Sequence, residues 1–258
     1  GRYLTLLPLE KKRGLVHFFG LKSGSQEEVK GSDNPEDDSK QADVGHPPLG
    51  EISASKENGD PILGPRQVHS DRVRVHRRGE PLPADDPMGH DGVISDVPGL
   101  WLRVVTADCV PLLFYDGIKQ VGGAVHAGWR GSLARISEKT LQLMQGAFGS
   151  RPEDVSVGIG PSIGPCCYEV GEEVIDALSK EFIGWDSWVS KNGNQKGYLD
   201  LRKMNRELLV QAGVLEDHIA VAGLCTYCQP ELFFSYRRDG AGRGKMFSGL
   251  MVQKGSVW

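Results

Sequence analysis

The sequence has no run of about 18 apolar residues, the length a helix needs to cross a bilayer, and its first residues, GRYLTLLPLEKKRG, lack the basic start, long apolar stretch and small-residue cleavage site of a secretory leader. No membrane span is expected, and the cytoplasm is the expected compartment. Cysteine is sparse: there are five, two of them adjacent at Cys166-Cys167, which makes no evenly spaced disulfide framework and fits a reducing compartment. An excess of one charge is lacking as well. With 30 basic and 34 acidic residues the net charge is −4, so neither nucleic acid nor an anionic membrane surface is an expected partner. No internal repeat is visible, and no linker divides the apolar segments into two self-sufficient sets, so the 258 residues are expected to form one domain. From about residue 22 to 60 aliphatic residues nearly vanish among Ser, Gly, Asp, Glu, Lys and Pro. A stretch with so little to bury cannot offset its own ordering entropy, and a mobile surface insertion is expected there.

What remains is ordinary globular composition, 39% hydrophobic and 25% charged, enough for a sizeable core. The chemistry gathers in TADCVPLLFYDGIKQVGGAVHAGWRG, residues 106–131. Residues 110–115 and 121–127 are apolar runs of strand length around the turn signal Asp116-Gly117, which reads as a hairpin. Cys109 and His126 lie on its two arms. Gly128-Trp129-Arg130-Gly131-Ser132 then runs into a helix over about 132–148, with Ser132 as N-cap and Leu133, Ile136, Thr140, Leu141 and Met144 as its apolar stripe. A strand passing through glycines into a helix start offers free backbone N–H groups to an anion, and Arg130 adds a planar cationic fork. A third metal ligand is available upstream in GPRQVHSDRV, at His69. Two imidazoles and a thiolate suit zinc with a fourth position left open. Spacing alone leaves the alternative that Cys109 is a buried thiol and the two histidines are core residues.

The flanking segments read as support. A strand over 14–19 carries His17, and Gln67-Val68-His69 leads into a period-two strand whose basic run places His76 toward solvent. Asp91, before Gly92, reads by default as a turn residue. GPSIGPCCYEVGEEVIDAL turns into a helix with Glu172 and Glu173 where its dipole favours acids; the neighbours Cys166 and Cys167, with side chains directed apart, are poor joint ligands. Asp200 caps the helix LRKMNRELLVQAG, with Leu201, Met204 and Leu208 inward and Gly213 as stop. Cys225-Thr226-Tyr227-Cys228 lacks a second pair of like spacing for a zinc ribbon and the helix start of a thioredoxin-like motif, so it reads as a structural feature.

In order, QVHS, TADCVPLL, AVHAGWRG, IGPSIGPCCYEV and LCTYC...FFSYRRDGAGR resemble the YfiH-like family, described both as polyphenol oxidases with a laccase domain and as purine nucleoside phosphorylases. The resemblance runs from about residue 64 to 251. It implies an α+β fold, a single compact domain with two mixed β-sheets between helical layers. It implies a metal triad of His69, Cys109 and His126 holding zinc, with copper as the other candidate. Tyr168 would lie near the site and could stack on a base, and Arg243 is the arginine of the family's GR element, although RDGAGRGKMF departs from the usual continuation. Where the family usually has an arginine after its first strand, this chain offers only Lys22.

The activity so implied is zinc-dependent phosphorolysis of adenosine, inosine and methylthioadenosine, with purine nucleoside and phosphate as partners and adenosine deamination as a further activity. Arg130 would bind phosphate, and Asp108, beside Cys109, would be a general base or a carboxylate that fixes the turn. The alternatives are a copper-dependent polyphenol oxidase and a hydrolase with Cys109 as nucleophile and His126 or His69 as base, editing peptidoglycan precursors. Only seven histidines are present and none is paired as His-x-His, so a trinuclear copper cluster for oxygen reduction is not expected. The H-x-E...P-C-x-x-C pattern of zinc deaminases is also missing. Oligomeric state is open, with a monomer favoured.

Overall fold

The period-two segments of the sequence pair into two large sheets. The computed structural model describes residues 3–6, 9, 14–22, 42–43, 61–83, 88–191, 196–241 and 244–253. In chain order they form Tyr3–Leu6 (β1), Leu15–Gly20 (β2), Ala42–Asp43 (β3), Ile62–Leu63 (β4), Val73–His76 (β5), Gly92–Ser95 (β6), Trp101–Thr106 (β7), Val110–Asp116 (β8) and Val121–Ala127 (β9). Helices Trp129–Leu133 (α1) and Ile136–Phe148 (α2) follow, then Val155–Ile159 (β10), Glu169–Val170 (β11) and helix Glu172–Glu181 (α3). The last part holds Val189–Lys191 (β12), Gly197–Leu199 (β13), helix Leu201–Gln211 (α4), Ile219–Val221 (β14), helix Tyr236–Asp239 (α5) and Met246–Val252 (β15). One sheet has the order β3-β1-β2-β15-β7-β4 and the other β14-β10-β8-β9-β6-β5, each mixing parallel and antiparallel pairs. The fold is therefore α+β with two mixed sheets in one compact domain, as expected. The expected insertion over 22–60 lies, apart from Lys22 and Ala42–Asp43, outside the described residues, as does Arg243.

Burial explains the layering. Between the sheets, Leu4, Phe19, Leu102 and Leu250 of one meet Val93, Leu113, Tyr115 and Ala124 of the other, all buried. On the far face of the second sheet, Leu112, Phe114 and Val125 pack under Ile136, Leu141 and Met144 of α2 and Met204 and Leu208 of α4. A strand that alternates faces can feed two cores at once, and for that reason β8 and β9 are buried along their whole length.

Two local expectations are corrected. Ser132 is not an N-cap: Arg135 adopts φ 60° and breaks the segment into α1 and α2, and Ser132 lies buried inside α1, where its Oγ accepts a hydrogen bond from Asn205 Nδ2 at 2.8 Å. His76 is buried rather than solvent-facing, because β5 pairs with β6 and packs against α2, which a pattern of charges along the strand does not register.

His17 gives the fold an acid-sensitive point. It lies on the buried face of β2 beside Phe19, is 5% exposed, and burial lowers its imidazole from 6.5 to about 4. The unfolded chain takes up the proton first, so this contribution is complete above pH 6.5 and is lost as pH falls toward 4, by roughly 3 kcal/mol. Denaturant titrations of the wild type should show that loss, and His17→Asn should flatten it. An unchanged slope in the variant would remove His17 as the cause.

Candidate functional site

The β8–β9 hairpin places the reactive groups. Val110 pairs with Ala127 and Pro111 with His126, so Cys109, one residue before β8, and His126, near the end of β9, emerge at the same end of the sheet. His69 reaches them from the loop ahead of β5. Its Nε2 lies 4.0 Å from Cys109 Sγ, its ring meets that of His126 edge-on at 4.9 Å between centroids, and the three ligand atoms all lie within 4.8 Å of one another. The structure thus brings His69, Cys109 and His126 together at one end of the sheet.

Asp91 organises this corner. It is fully buried, and its carboxylate accepts hydrogen bonds from the backbone N–H groups of Val68, His69 and Ser70, from Ser70 Oγ, and from His126 Nδ1 at 2.8 Å. The His126 contact fixes the ring's orientation and leaves Nε2 for the shared space. Three of the other four contacts hold the backbone around His69, whose φ of 60° needs such support. Burial opposes ionisation of Asp91, yet the hydrogen bonds from His126 and Ser70 hold the carboxyl down at about 2. Burial likewise resists charge on Cys109 and His126, but each stabilises the other: the thiol is drawn down to about 7 by the two imidazoles, and His126 is drawn up by Asp91 and Cys109. The corner thus favours a thiolate.

The glycine at 128 makes room for what the three ligands face. A Cβ there would stand 3.2 Å from Cys109 Sγ, 3.2 Å from His69 Cδ2 and 3.7 Å from His126 Cε1. Two imidazoles, one thiolate and a cradle kept clear of side-chain atoms suit a single metal ion.

The triad opens into a cavity of about 540 Å³. Arg130 and Tyr168, named from sequence, line it, together with Arg237 and Lys245, which sequence reasoning did not single out as binding residues. Their signal was a basic loop near the end of the chain, and only packing shows that it turns back over the site. Ile163, Leu201 and Trp129 add apolar wall. The Arg130 guanidinium lies 4.3 Å over the Trp129 ring, and that of Arg237 lies 5.4 Å from the Tyr168 ring. Helix α1, with five residues, has little dipole, so binding an anion here falls to side-chain cations more than to backbone N–H groups. Lys22 points elsewhere: its amine bonds to the Pro230 carbonyl and stacks on Phe234.

Asp108 lines the cavity too, but its carboxylate is engaged. Oδ1 accepts from Thr226 Oγ1 and Oδ2 from the Arg237 N–H, both at 2.7 Å, while its own backbone holds φ 94°. These are the contacts of a carboxylate that fixes a turn.

Another expectation fails outright. Cys166, Cys167, Cys225 and Cys228 come together, with all four sulfurs within 4.8 Å of one another. Neighbouring side chains diverge by 180° in a strand, but 165–167 form a turn, and from it both thiols reach Cys228. The missing second pair for the CxxC is therefore this one.

A family model described as "Multi-copper polyphenol oxidoreductase laccase" matches residues 36–253. The chain belongs to that family. It is similar to the Bacillus subtilis protein named purine nucleoside phosphorylase YlmD, with 37% identity over 158 residues, 61% of this chain and 57% of the relative, so the chain spans less than two thirds of that protein's length. It is also 37% identical over 199 residues to a protein of an unknown prokaryotic organism named adenosine deaminase RL5, covering 74% of this chain and 75% of that one. In three dimensions it matches the crystal structure of the Bacillus licheniformis protein YfiH with a TM-score of 0.78 and 27% identity, over 98% of this chain and 97% of the other. Despite the description of this laccase family, the two metal-capable groups among the described residues contain two histidines and none, respectively. No helix among the described residues is long and apolar enough to cross a membrane.

Proposed function

We propose that this chain is a zinc-dependent purine nucleoside phosphorylase acting on adenosine, inosine and methylthioadenosine. The observation that carries the reading is the convergence of the His69/Cys109/His126 triad with Arg130, Arg237 and Lys245 on one cavity with aromatic and apolar walls. Relatives named as purine nucleoside enzymes support it. His69, Cys109 and His126 would hold the ion, which when bound supplies a Lewis acid inside the cavity.

The chain's own residues do the rest. Arg130, stacked on Trp129 and so held in one plane, presents two parallel N–H donors to phosphate, and Lys245 adds a mobile positive charge. Tyr168, Trp129 and Ile163 form the slot for a flat, largely apolar base. In this reading Asp108 acts through position, tying the Cys109 turn to Thr226 and Arg237, and Asp91 sets the His126 tautomer. Adenosine deamination in the same cavity is the second reading, favoured by the similarity to a deaminase over three quarters of that protein's length.

Product analysis tests both. Zinc-loaded protein with adenosine and phosphate is expected to yield adenine and ribose 1-phosphate, and no adenine without phosphate. Deamination would instead give inosine without phosphate, and an oxidase would consume oxygen. Arg130→Lys keeps the charge and loses the fork, so it should raise the KM for phosphate about tenfold while moving that for adenosine much less. Absence of adenine at saturating phosphate sinks the reading; an unmoved phosphate KM sinks the role of Arg130.

A further inference from the structure

We propose that Cys166, Cys167, Cys225 and Cys228 form a second metal site, a closed four-thiolate zinc centre that pins two loops of the catalytic cavity together. All four sulfurs lie within 4.8 Å of one another, with Cys166 and Cys167 at 3.6 and 3.3 Å from Cys228. Zinc–sulfur bonds of about 2.3 Å at tetrahedral angles separate the sulfurs by roughly 3.8 Å, so the cluster is already near the spacing one ion demands. A cluster of several irons would need its thiolates spread around several metals. One disulfide would bring two sulfurs to about 2.05 Å and leave the convergence of the other two without a cause.

The backbone is arranged for the same end. The two loops join through the Ser162–Cys225 bridge, and the Gly164 N–H donates to Cys225 Sγ at 3.2 Å, a hydrogen bond suited to a thiolate. Residue 164 must be small, because a Cβ there would meet Cys166 Sγ at 3.3 Å and Arg202 Nη2 at 2.9 Å. The same Arg202 carries a buried Nη1 with no hydrogen-bond partner among the described residues. Zinc with four thiolates would bear a net charge of −2, and a guanidinium with an unused Nη1 across Gly164 from Cys166 is placed to offset it.

The centre sits behind the cavity rather than in it. From the first loop Ile163 and Tyr168 reach the cavity wall, and from the second Thr226 holds Asp108 Oδ1. The ion would therefore act as a staple, with its coordination closed to substrate.

The inference stands apart from the reaction proposed above, and the test reads metal rather than turnover. Elemental analysis of the purified full chain is expected to give two zinc ions, one for each ligand group. Cys109→Ala should lose one and keep the other, and Cys228→Ser should lose the complementary one. Cobalt reconstitution identifies which remains: the charge-transfer absorption of Cys109→Ala should be about four times that of Cys228→Ser, in proportion to thiolates bound. If Cys228→Ser fails to fold, alkylation of the wild type decides instead, since four cysteines should resist reagent until a chelator strips the ion. Zinc content unchanged by Cys228→Ser, iron in place of zinc, a disulfide in freshly purified protein, or four thiols that alkylate without chelator would each overturn the proposal.

Discussion

Replacing Asp91 with asparagine is expected to cost on the order of 3–5 kcal/mol of stability and to weaken zinc binding at the triad by about 10- to 100-fold. The carboxylate accepts from three backbone N–H groups, a hydroxyl and His126 Nδ1, with two donors on Oδ1 and three on Oδ2. Whichever way the amide is turned, its NH₂ faces at least two of those donors in a fully buried place. If the NH₂ points at His126, Nδ1 must become the acceptor and Nε2 must carry the proton, which removes the lone pair a metal needs. If it points the other way, the loop that holds His69 at φ 60° loses its anchors. Chemical denaturation of the metal-free protein and competitive chelator titration of the zinc-loaded one measure the two effects separately. Wild-type stability and affinity in this variant would show that Asp91 is an ordinary turn residue.

Gly128→Ala is expected to weaken metal binding at the triad about 100-fold with little effect on the fold. Residue 128 has φ −75° and ψ 170°, extended backbone open to any residue, so no strain arises from the substitution itself. The added methyl stands 3.2 Å from both Cys109 Sγ and His69 Cδ2. These atoms can retreat by a few tenths of an ångström, which the fold tolerates but a coordination sphere does not, since ligand distances must hold to about 0.2 Å. That affinity loss should be accompanied by an unfolding free energy within about 1 kcal/mol of wild type. Gly146→Ala in α2, where a Cβ meets nothing within 4 Å, is the control, and there the loss of a helical glycine should stabilise slightly. An unchanged zinc affinity in Gly128→Ala would show that the ligands do not share that space with a metal.

The hairpin of β8 and β9 and the capped helix α4 with its inward Leu201, Met204 and Leu208 were legible because each rests on local rules: strand-length apolar runs around an Asp-Gly turn, a side-chain cap, a helical stripe; the α+β class was legible through the family resemblance. The triad was legible only as three ligand types joined by resemblance. Its convergence depends on β5, β6 and β9 lying side by side in one sheet, which no spacing states. Asp91 shows the boundary most clearly. Asp before Gly is a turn signal in any sequence, and its five hydrogen bonds come from residues up to 35 positions away. The cysteines show the same boundary from the other side. Local alternation argued that Cys166 and Cys167 diverge, and ligand spacing that the CxxC stands alone; the turn at 165–167 and the return of the chain to Cys225, 61 residues after Gly164, put all four sulfurs together. Sequence by itself determined the ligand inventory, the charge, the strand and helix periods and the family resemblance, since all of these are properties of neighbours along the chain. Tertiary structure decided which ligands meet, that Arg237 and Lys245 join Arg130 in one cavity, and that four thiols form one cluster, because those are distances between segments fixed by the packing of the sheets and the loops that close over their ends.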